Sequence, residues 1–269
     1  MQLSIIELAE ARFEKLHVLG EGAFGKVYIA RSGSQKYALK EVIKPAAQTT
    51  PLREEATILM MFDDRNVIKC FGVIEKTDPR SCQLFLEFAP LGDLRTVVER
   101  HNRVEHATTR LFFEQISSAL LAIHYECICH RDIKPSNILV FSTDLVKVGD
   151  FGLATKMDAL NRVMAAGTHE YQPPEAAGQF LNAINLDLWG AAMVFLFSLL
   201  GAKPWEEASL VKSSSYCAFQ RGDLNALIAA DWRWTRVGAE FEDLRRLLRH
   251  KGKRDKPPGY KLRQRSLYP

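Results

Sequence analysis

The sequence predicts an α+β protein of two lobes: a small antiparallel sheet with one main helix, then a larger, mainly helical lobe with a cleft between them. Three observations predict it. Short alternating runs at residues 13–19, 26–30 and 37–42, separated by Gly and Ser turns, read as strands. Ala89-Pro90-Leu91-Gly92 then breaks the strand-rich part and marks a lobe boundary. Beyond it the pattern turns helical: residues 106–125 carry Leu111, Phe112, Ile116, Leu120, Leu121 and Ile123 near a 3.6-residue period.

The remaining elements follow in order. One helix interrupts the first strands, with Pro51 in its first turn, Glu54 and Glu55 at its N-terminal end, and Ile58, Leu59 and Phe62 as its apolar stripe. Strands follow at 67–74 and 82–88. Two short strands at 138–140 and 146–148 flank a turn at Ser142-Thr143-Asp144. A buried helix is expected over 185–200, and another from about 240 to 249. The longest apolar stretch, 189–200, is shorter than the roughly 20 apolar residues a bilayer needs. The small lobe spans about 13–88, the connector about 87–92 and the large lobe about 93–257, in a single domain ending in a basic tail at 249–269.

The chain has 269 residues, 47% hydrophobic and 25% charged, which excludes a disordered chain. Its 16 glycines follow no three-residue period and no internal repeat is present, which excludes collagen-like and solenoid architectures. Thirty-six basic against 32 acidic residues give +4, too mild to imply direct nucleic-acid binding. The excess is local: Arg249, Lys251, Lys253, Arg254, Lys256, Lys261, Arg263 and Arg265 lie together with Asp255 as the only acid. A solvated end is the first reading, and an import patch or a dock for an acidic partner the second. Five cysteines without framework spacing point to a reducing nuclear or cytoplasmic home, and the lone pair Cys127 and Cys129 does not make a zinc site. The first eleven residues contain Glu7 and Glu10 and lack the basic start of a secretion signal, so no membrane association is expected.

The chemistry lies in an ordered set of motifs. Gly20-Glu21-Gly22-Ala23-Phe24-Gly25 is a G-x-G-x-x-G run, weak alone. A dinucleotide fold would follow it with a helix. Here strand-like Val27-Tyr28-Ile29-Ala30 follows, which favours a strand–turn–strand flap that brings backbone N–H groups to phosphates. Ala38-Leu39-Lys40 lies on the next strand and Glu55 on the helix after it. His130-Arg131-Asp132 precedes Lys134 and Asn137. Asp150-Phe151-Gly152 comes next, then Gly167-Thr168, Tyr171 and Pro173-Pro174-Glu175. In that order, the set resembles the eukaryotic-type serine/threonine protein kinase family from about residue 13 to 257.

The resemblance implies ATP and Mg²⁺ as cofactors and protein serine or threonine hydroxyls as acceptors. Lys40 would contact the α- and β-phosphates and Glu55 would pair with it. Asp150 and Asn137 would hold magnesium through hard oxygen ligands. Asp132 would accept or orient the incoming hydroxyl's proton, and Lys134 would steady the transferring phosphate. Gly20, Gly22 and Gly25 would form the flap. Leu19, Val27 and Ala38 would cover one face of adenine and Leu139 the other, Leu86 would be the gatekeeper, and the backbone of Glu87 and Ala89 would read the adenine edge. Cys70, Leu59, Phe151 and His130 resemble the column joining the lobes in active kinases, anchored by a buried Asp187 that accepts from backbone N–H groups near His130.

Some positions depart from the family. Pro173 stands where alanine is more frequent and Ala192 where glycine is. The cation that would lock Glu175 is to be sought at Arg254, or at Lys256 with poorer fork geometry. Ser136 replaces a glutamate found in kinases that prefer basic targets, while Asp93 retains the other acidic position. Between Phe151 and Glu175 the only phosphate-accepting hydroxyls are Thr155, Thr168 and Tyr171, so no obligatory activation-loop phosphorylation is expected beyond Thr155. Residues 84–88, 92–94, 130–135, 150–155 and 201–205 resemble the checkpoint kinase type in the calmodulin-kinase-related group. This likeness implies a cell-cycle or DNA-damage role and a nuclear or cytoplasmic location, with the chain either a kinase-only relative or one regulated by a partner protein, and a monomer is expected. The alternative is a kinase-fold scaffold with little catalysis.

Overall fold

The computed structural model describes residues 13–22, 25–43, 50–77, 80–176 and 179–248. Its small lobe is a five-stranded antiparallel sheet in the order β1-β2-β3-β5-β4. The strands are β1 (Glu14–Gly22), β2 (Gly25–Ser32), β3 (Gln35–Ile43), β4 (Cys70–Thr77) and β5 (Arg80–Glu87), with α1 (Thr50–Leu59) inserted after β3. After β3 the chain leaves the sheet through α1 and returns on its far edge as β4, so β3 pairs with β5 rather than with β4. The register sets Ala38 opposite Leu86 and Lys40 opposite Leu84. Strand alternation puts Ala38, Lys40 and Val42 on one face and Tyr37, Leu39 and Glu41 on the other. The second face packs Tyr37, Leu39 and Phe85 with Ala30.

The large lobe is helical: α2 (Leu94–His101), α3 (His106–Tyr125), α4 (Ala183–Leu200), α5 (Ser214–Arg221), α6 (Leu224–Ala230) and α7 (Phe241–Leu247). Short strands decorate its upper rim: β6 (Ile128–Cys129), β7 (Ile138–Ser142), β8 (Leu145–Val148), β9 (Thr155–Lys156), β10 (Arg162–Met164) and β11 (Phe180–Asn182). Among the described residues they pair antiparallel: β7 with β8 as a hairpin, and β6 with β9 and β10 with β11 across longer connections. Among the described residues α4 is the one helix long and apolar enough to cross a membrane. It is instead a core helix, because Trp189, Met193, Leu196 and Leu199 bury against Trp205, Tyr216, Phe219 and Trp234. A second core joins the lobes, running from Leu52, Leu59 and Leu84 through Ile68 and Phe151 to Ile116, Ile123 and Val148. Each such side chain contributes about 1.5–3 kcal/mol by burial, so the lobes share a large apolar contact.

The bilobal α+β expectation agrees with this architecture. Several details differ. Strand β4 begins at Cys70; Val67 instead makes a parallel bridge to Val148 that stitches the small lobe to β8. Glu54 and Glu55 lie in the second turn of α1, because the helix already starts at Thr50. The final helix covers Phe241–Leu247 after a 3-10 turn at Gly238–Glu240. Helices α2, α5 and α6 escaped the periodicity reading because each has only seven or eight residues. Their caps were visible: Asp93, Ser213 and Asp223 each accept an N–H of the first turn, and Gly222 closes α5 with φ 77. The basic tail from Arg249, the flap residues Ala23 and Phe24, and the Glu175 partner candidates Arg254 and Lys256 lie outside the described residues.

Candidate active site

Lys40 projects from the cleft face of β3, and α1 brings Glu55 to it. Lys40 Nζ donates to Glu55 Oε2 at 2.7 Å and to Asp150 Oδ1 at 2.9 Å. Both ends of the first pair are buried, with side-chain exposures of 9% and 1%, whereas Asp150 is 43% exposed and faces the cleft opening. Burial pulls the Lys40 ammonium down, but Glu55 and Asp150 outweigh it and hold its pKa above the ordinary lysine value. Burial pushes Asp150 up, and Lys40 overcomes this to hold the carboxyl below its usual value. Burial dominates at Glu55, whose carboxyl lies above the usual range despite Lys40.

Asp150 takes a left-handed backbone conformation, φ 57, a costly state for a non-glycine residue. The turn that imposes it sends Phe151 into the core, where its ring centroid lies 4.8 Å from His130 and 5.9 Å from Phe62. His130 is fixed from both sides. Its Nε2 donates to Gly149 O at 3.0 Å and its Nδ1 accepts the Asp132 N–H at 3.3 Å, which sets the tautomer. Leu59, Phe151 and the half-buried Cys70 belong to the core that joins the lobes. Burial raises the Cys70 thiol to about 11, so it packs as a neutral side chain.

Asp187 anchors this segment from α4. Its Oδ2 accepts from His130 N at 2.9 Å and from His124 Nε2 at 2.8 Å, and its Oδ1 accepts from Arg131 N at 2.9 Å. The two backbone donors are those expected from the sequence. His124 was missed; it lies four residues after Leu120 on the buried stripe of α3, so its face was legible and its chemistry was not. Burial would raise the Asp187 carboxyl, yet the His124 hydrogen bond and the nearby His130 hold it below its usual value.

Asp132, thus positioned, is ringed by donors. Its Oδ1 accepts from Thr168 N at 2.8 Å, and its Oδ2 from Asn137 Nδ2 at 3.1 Å and Lys134 Nζ at 2.7 Å. Lys134 also donates to Thr168 Oγ1 at 2.7 Å. Gly167 makes this closure possible. It sits at φ +96, and a Cβ there would come within 2.5 Å of Arg131 O and 2.7 Å of Asp132 Oδ1. The sequence marked Gly167 only as part of a motif.

The apolar site residues also converge. Val27 pairs with Lys40 and Ile29 with Ala38, while Ala38 sits opposite Leu86. Ala38 and Leu139 pack against the shared core that contains Leu86. Leu139 is pressed by Gly149, where a Cβ would lie 2.8 Å from its Cδ1. Leu19 is half exposed near the end of β1, followed by Gly20 and Gly22, and Gly25 opens β2. Glu87 N–H is committed to Lys69 O at 3.0 Å, so Glu87 can meet an adenine edge only through its carbonyl. Its side chain pairs with Lys147 at 2.7 Å. Ala89 O accepts from Gly92 N–H as the chain turns into the large lobe.

The residues fit a nucleotide-borne divalent cation. Asn137 spends its Nδ2 on Asp132, leaving Oδ1, and Asp150 spends Oδ1 on Lys40, leaving Oδ2. These are the hard oxygens that Mg²⁺ prefers. Among the described residues no group of three or more His, Cys, Asp or Glu side chains could hold a metal alone.

Fold and cleft together define a phosphotransfer scaffold. The protein kinase domain family matches residues 13–254, and the chain belongs to that family. Among its relatives, Aurora kinase C of Mus musculus is 32% identical over 203 residues, covering 73% of each chain. Aurora kinase B of Xenopus tropicalis is 32% identical over 71% of this chain and 54% of its own length, and Aurora kinase A-A of Xenopus laevis 30% over 72% and 49%. The chain therefore spans only about half the length of the two frog relatives. These names lend no support to the checkpoint type suggested by the short motifs.

Proposed function

We propose that this chain transfers the γ-phosphoryl group of Mg-ATP to serine or threonine hydroxyls of proteins. One observation carries the reading: Lys40 is held by Glu55 and Asp150, Asp132 has its two oxygens held by Thr168, Asn137 and Lys134, and the two groups are joined where Gly149 N–H, next to Asp150, donates to Asn137 O at 2.9 Å. Phosphoryl transfer asks mainly for positioning and charge stabilisation, and this arrangement supplies both. Lys40 neutralises the α- and β-phosphates and is kept cationic by its two carboxylates. Asp132 accepts or orients the proton of the acceptor hydroxyl. Lys134, between Asp132 and Thr168, carries positive charge to the transferring group. Gly20, Gly22 and Gly25 cover the phosphates, and Leu19, Val27, Ala38, Leu86 and Leu139 enclose the base. Asp150 and Asn137 would hold Mg²⁺, which when bound offsets the charge of the phosphate oxygens.

The activation segment supports a site that is assembled without phosphate. Arg131 Nε donates to Leu153 O at 2.7 Å and Nη1 to Met164 O at 3.3 Å. The pairing of β9 with β6 and of β10 with β11 holds the same segment through its backbone. A cell-cycle role, a nuclear or cytoplasmic location and a regulatory protein partner belong to the proposal as consequences of the motif resemblance. Incubation with Mg-ATP and a degenerate peptide library tests the reading. Phosphoserine or phosphothreonine that disappears with Asp132→Ala is expected. No incorporation, or phosphotyrosine alone, contradicts it and in the first case favours a scaffold.

A further inference from the structure

The glycine run starts at the end of β1, an edge strand of the sheet. Among the described residues β1 pairs with β2 alone, and their register slips twice, between Lys15 and Val18 and between Val18 and Gly20. Val18 and Leu19 are half exposed, so burial holds this stretch only weakly. On the face of β3 opposite Lys40 lies Glu41, a carboxylate only 5% exposed at the end of an otherwise apolar face. Its Oε2 accepts from Lys15 Nζ of β1 at 2.5 Å, and its Oε1 accepts from Gln83 Nε2 of β5 at 2.5 Å. On the way the Lys15 ammonium passes over the Tyr28 ring of β2, 4.8 Å from its centroid. One buried group thus ties β1, across β2, to β3 and β5. The Glu41 backbone also seats the far end of the flap, since a Cβ on Gly25 would fall 2.2 Å from Glu41 O.

A buried carboxylate is costly unless its oxygens are paired, and an apolar side chain would suit this face better for stability alone. What the charge adds is geometry: charge-assisted hydrogen bonds fix the height and angle of the hairpin relative to β3, the strand that also carries Lys40. We propose that Glu41, with Lys15 and Gln83, is a positioning network that sets the placement of β1 and β2, which carry Leu19 and Val27, relative to Lys40 on β3, and so tunes nucleotide affinity. It acts on nucleotide affinity and leaves the chemical step alone, because none of the three residues is among those gathered around Asp132. The inference rests on the phosphotransfer reading.

The test compares the native chain with Lys15→Met and Lys15→Arg. Three quantities are read: the dissociation constant for ADP, the kcat and the KM for ATP with a peptide acceptor, and amide hydrogen exchange in β1. Loss of this part-exposed ion pair should weaken ADP binding and raise KM about three- to fivefold, with kcat within about twofold. Exchange in β1 should quicken, and Lys15→Arg should restore all three. Unchanged ADP binding and KM in a folded Lys15→Met overturn the proposal, as does a fall in kcat at constant KM. Should Lys15→Met fail to fold, Glu41→Gln, which keeps the shape and removes the charge, decides by the same readouts. A native chain that neither binds ADP nor transfers phosphate defeats the phosphotransfer reading; the exchange comparison then still separates a real tie on β1 from none.

Discussion

Replacing Asp187 with alanine removes the acceptor for three donors at once: His124 Nε2, His130 N and Arg131 N. The carboxylate is 1% exposed, so water does not reach the donors it leaves behind. Breaking a buried, hydrogen-bonded charge commonly costs about 3–5 kcal/mol. For a chain of this size each kcal/mol lowers the melting midpoint by roughly 2–4 °C, so a drop of about 6–20 °C is expected. Asp187→Asn keeps one oxygen and should fall between the native chain and alanine. Thermal unfolding followed by far-ultraviolet circular dichroism measures this. At low temperature, where the variant is folded, turnover should also drop, because Asp187 holds the backbone of His130 and Arg131 and these lead directly into Asp132. Native midpoints for both variants would refute the anchoring role.

The same carboxyl predicts a pH dependence. Its folded pKa lies below the ordinary value of about 3.9, so its stabilisation is complete above that value and is lost as pH falls through the folded one. Below about pH 4 the native midpoint should therefore decline more steeply than that of Asp187→Asn; parallel curves would count against it. Asp150→Asn keeps the shape of a partly exposed side chain, so turnover should fall roughly a hundred- to a thousandfold while the midpoint barely moves. Lys40→Met should lower both turnover and midpoint, since it strands Glu55, which is 1% exposed. Gly167→Ala should cut turnover more than about tenfold, as its Cβ meets Arg131 O and Asp132 Oδ1 in a backbone state that costs about 1–3 kcal/mol for L-residues. Thr155→Ala should retain native turnover in peptide assays, which would show that the segment needs no phosphate there.

The strand-rich and helix-rich halves were legible because short apolar runs stand between Gly and Ser turns in the first, and α3 keeps its apolar period through Ile116, Leu120 and Ile123 in the second; β3 itself is buried at four successive positions and does not alternate. The site was legible because Lys40, Glu55, Asp132, Asn137 and Asp150 sit in motifs whose order carries the geometry. What stayed hidden depends on contacts between residues far apart in the chain. Nothing local in His124 says that it meets Asp187, 63 positions away. Nothing local in Glu41 separates a solvated strand glutamate from one buried between Lys15 and Gln83. The left-handed backbone at Asp150 and the close approach at Gly167 arise from tertiary closure and leave no periodic trace. Short pairs such as β6 with β9 have only two residues per strand, too few to show an alternation.

Asp132→Asn separates binding from chemistry most directly. It leaves Lys40 and Asp150 in place and removes the carboxylate proposed to meet the acceptor hydroxyl. ADP affinity should stay within about twofold of native while phosphate transfer to a serine or threonine peptide drops roughly a hundred- to ten-thousandfold. Transfer at the native rate in that variant would contradict the account.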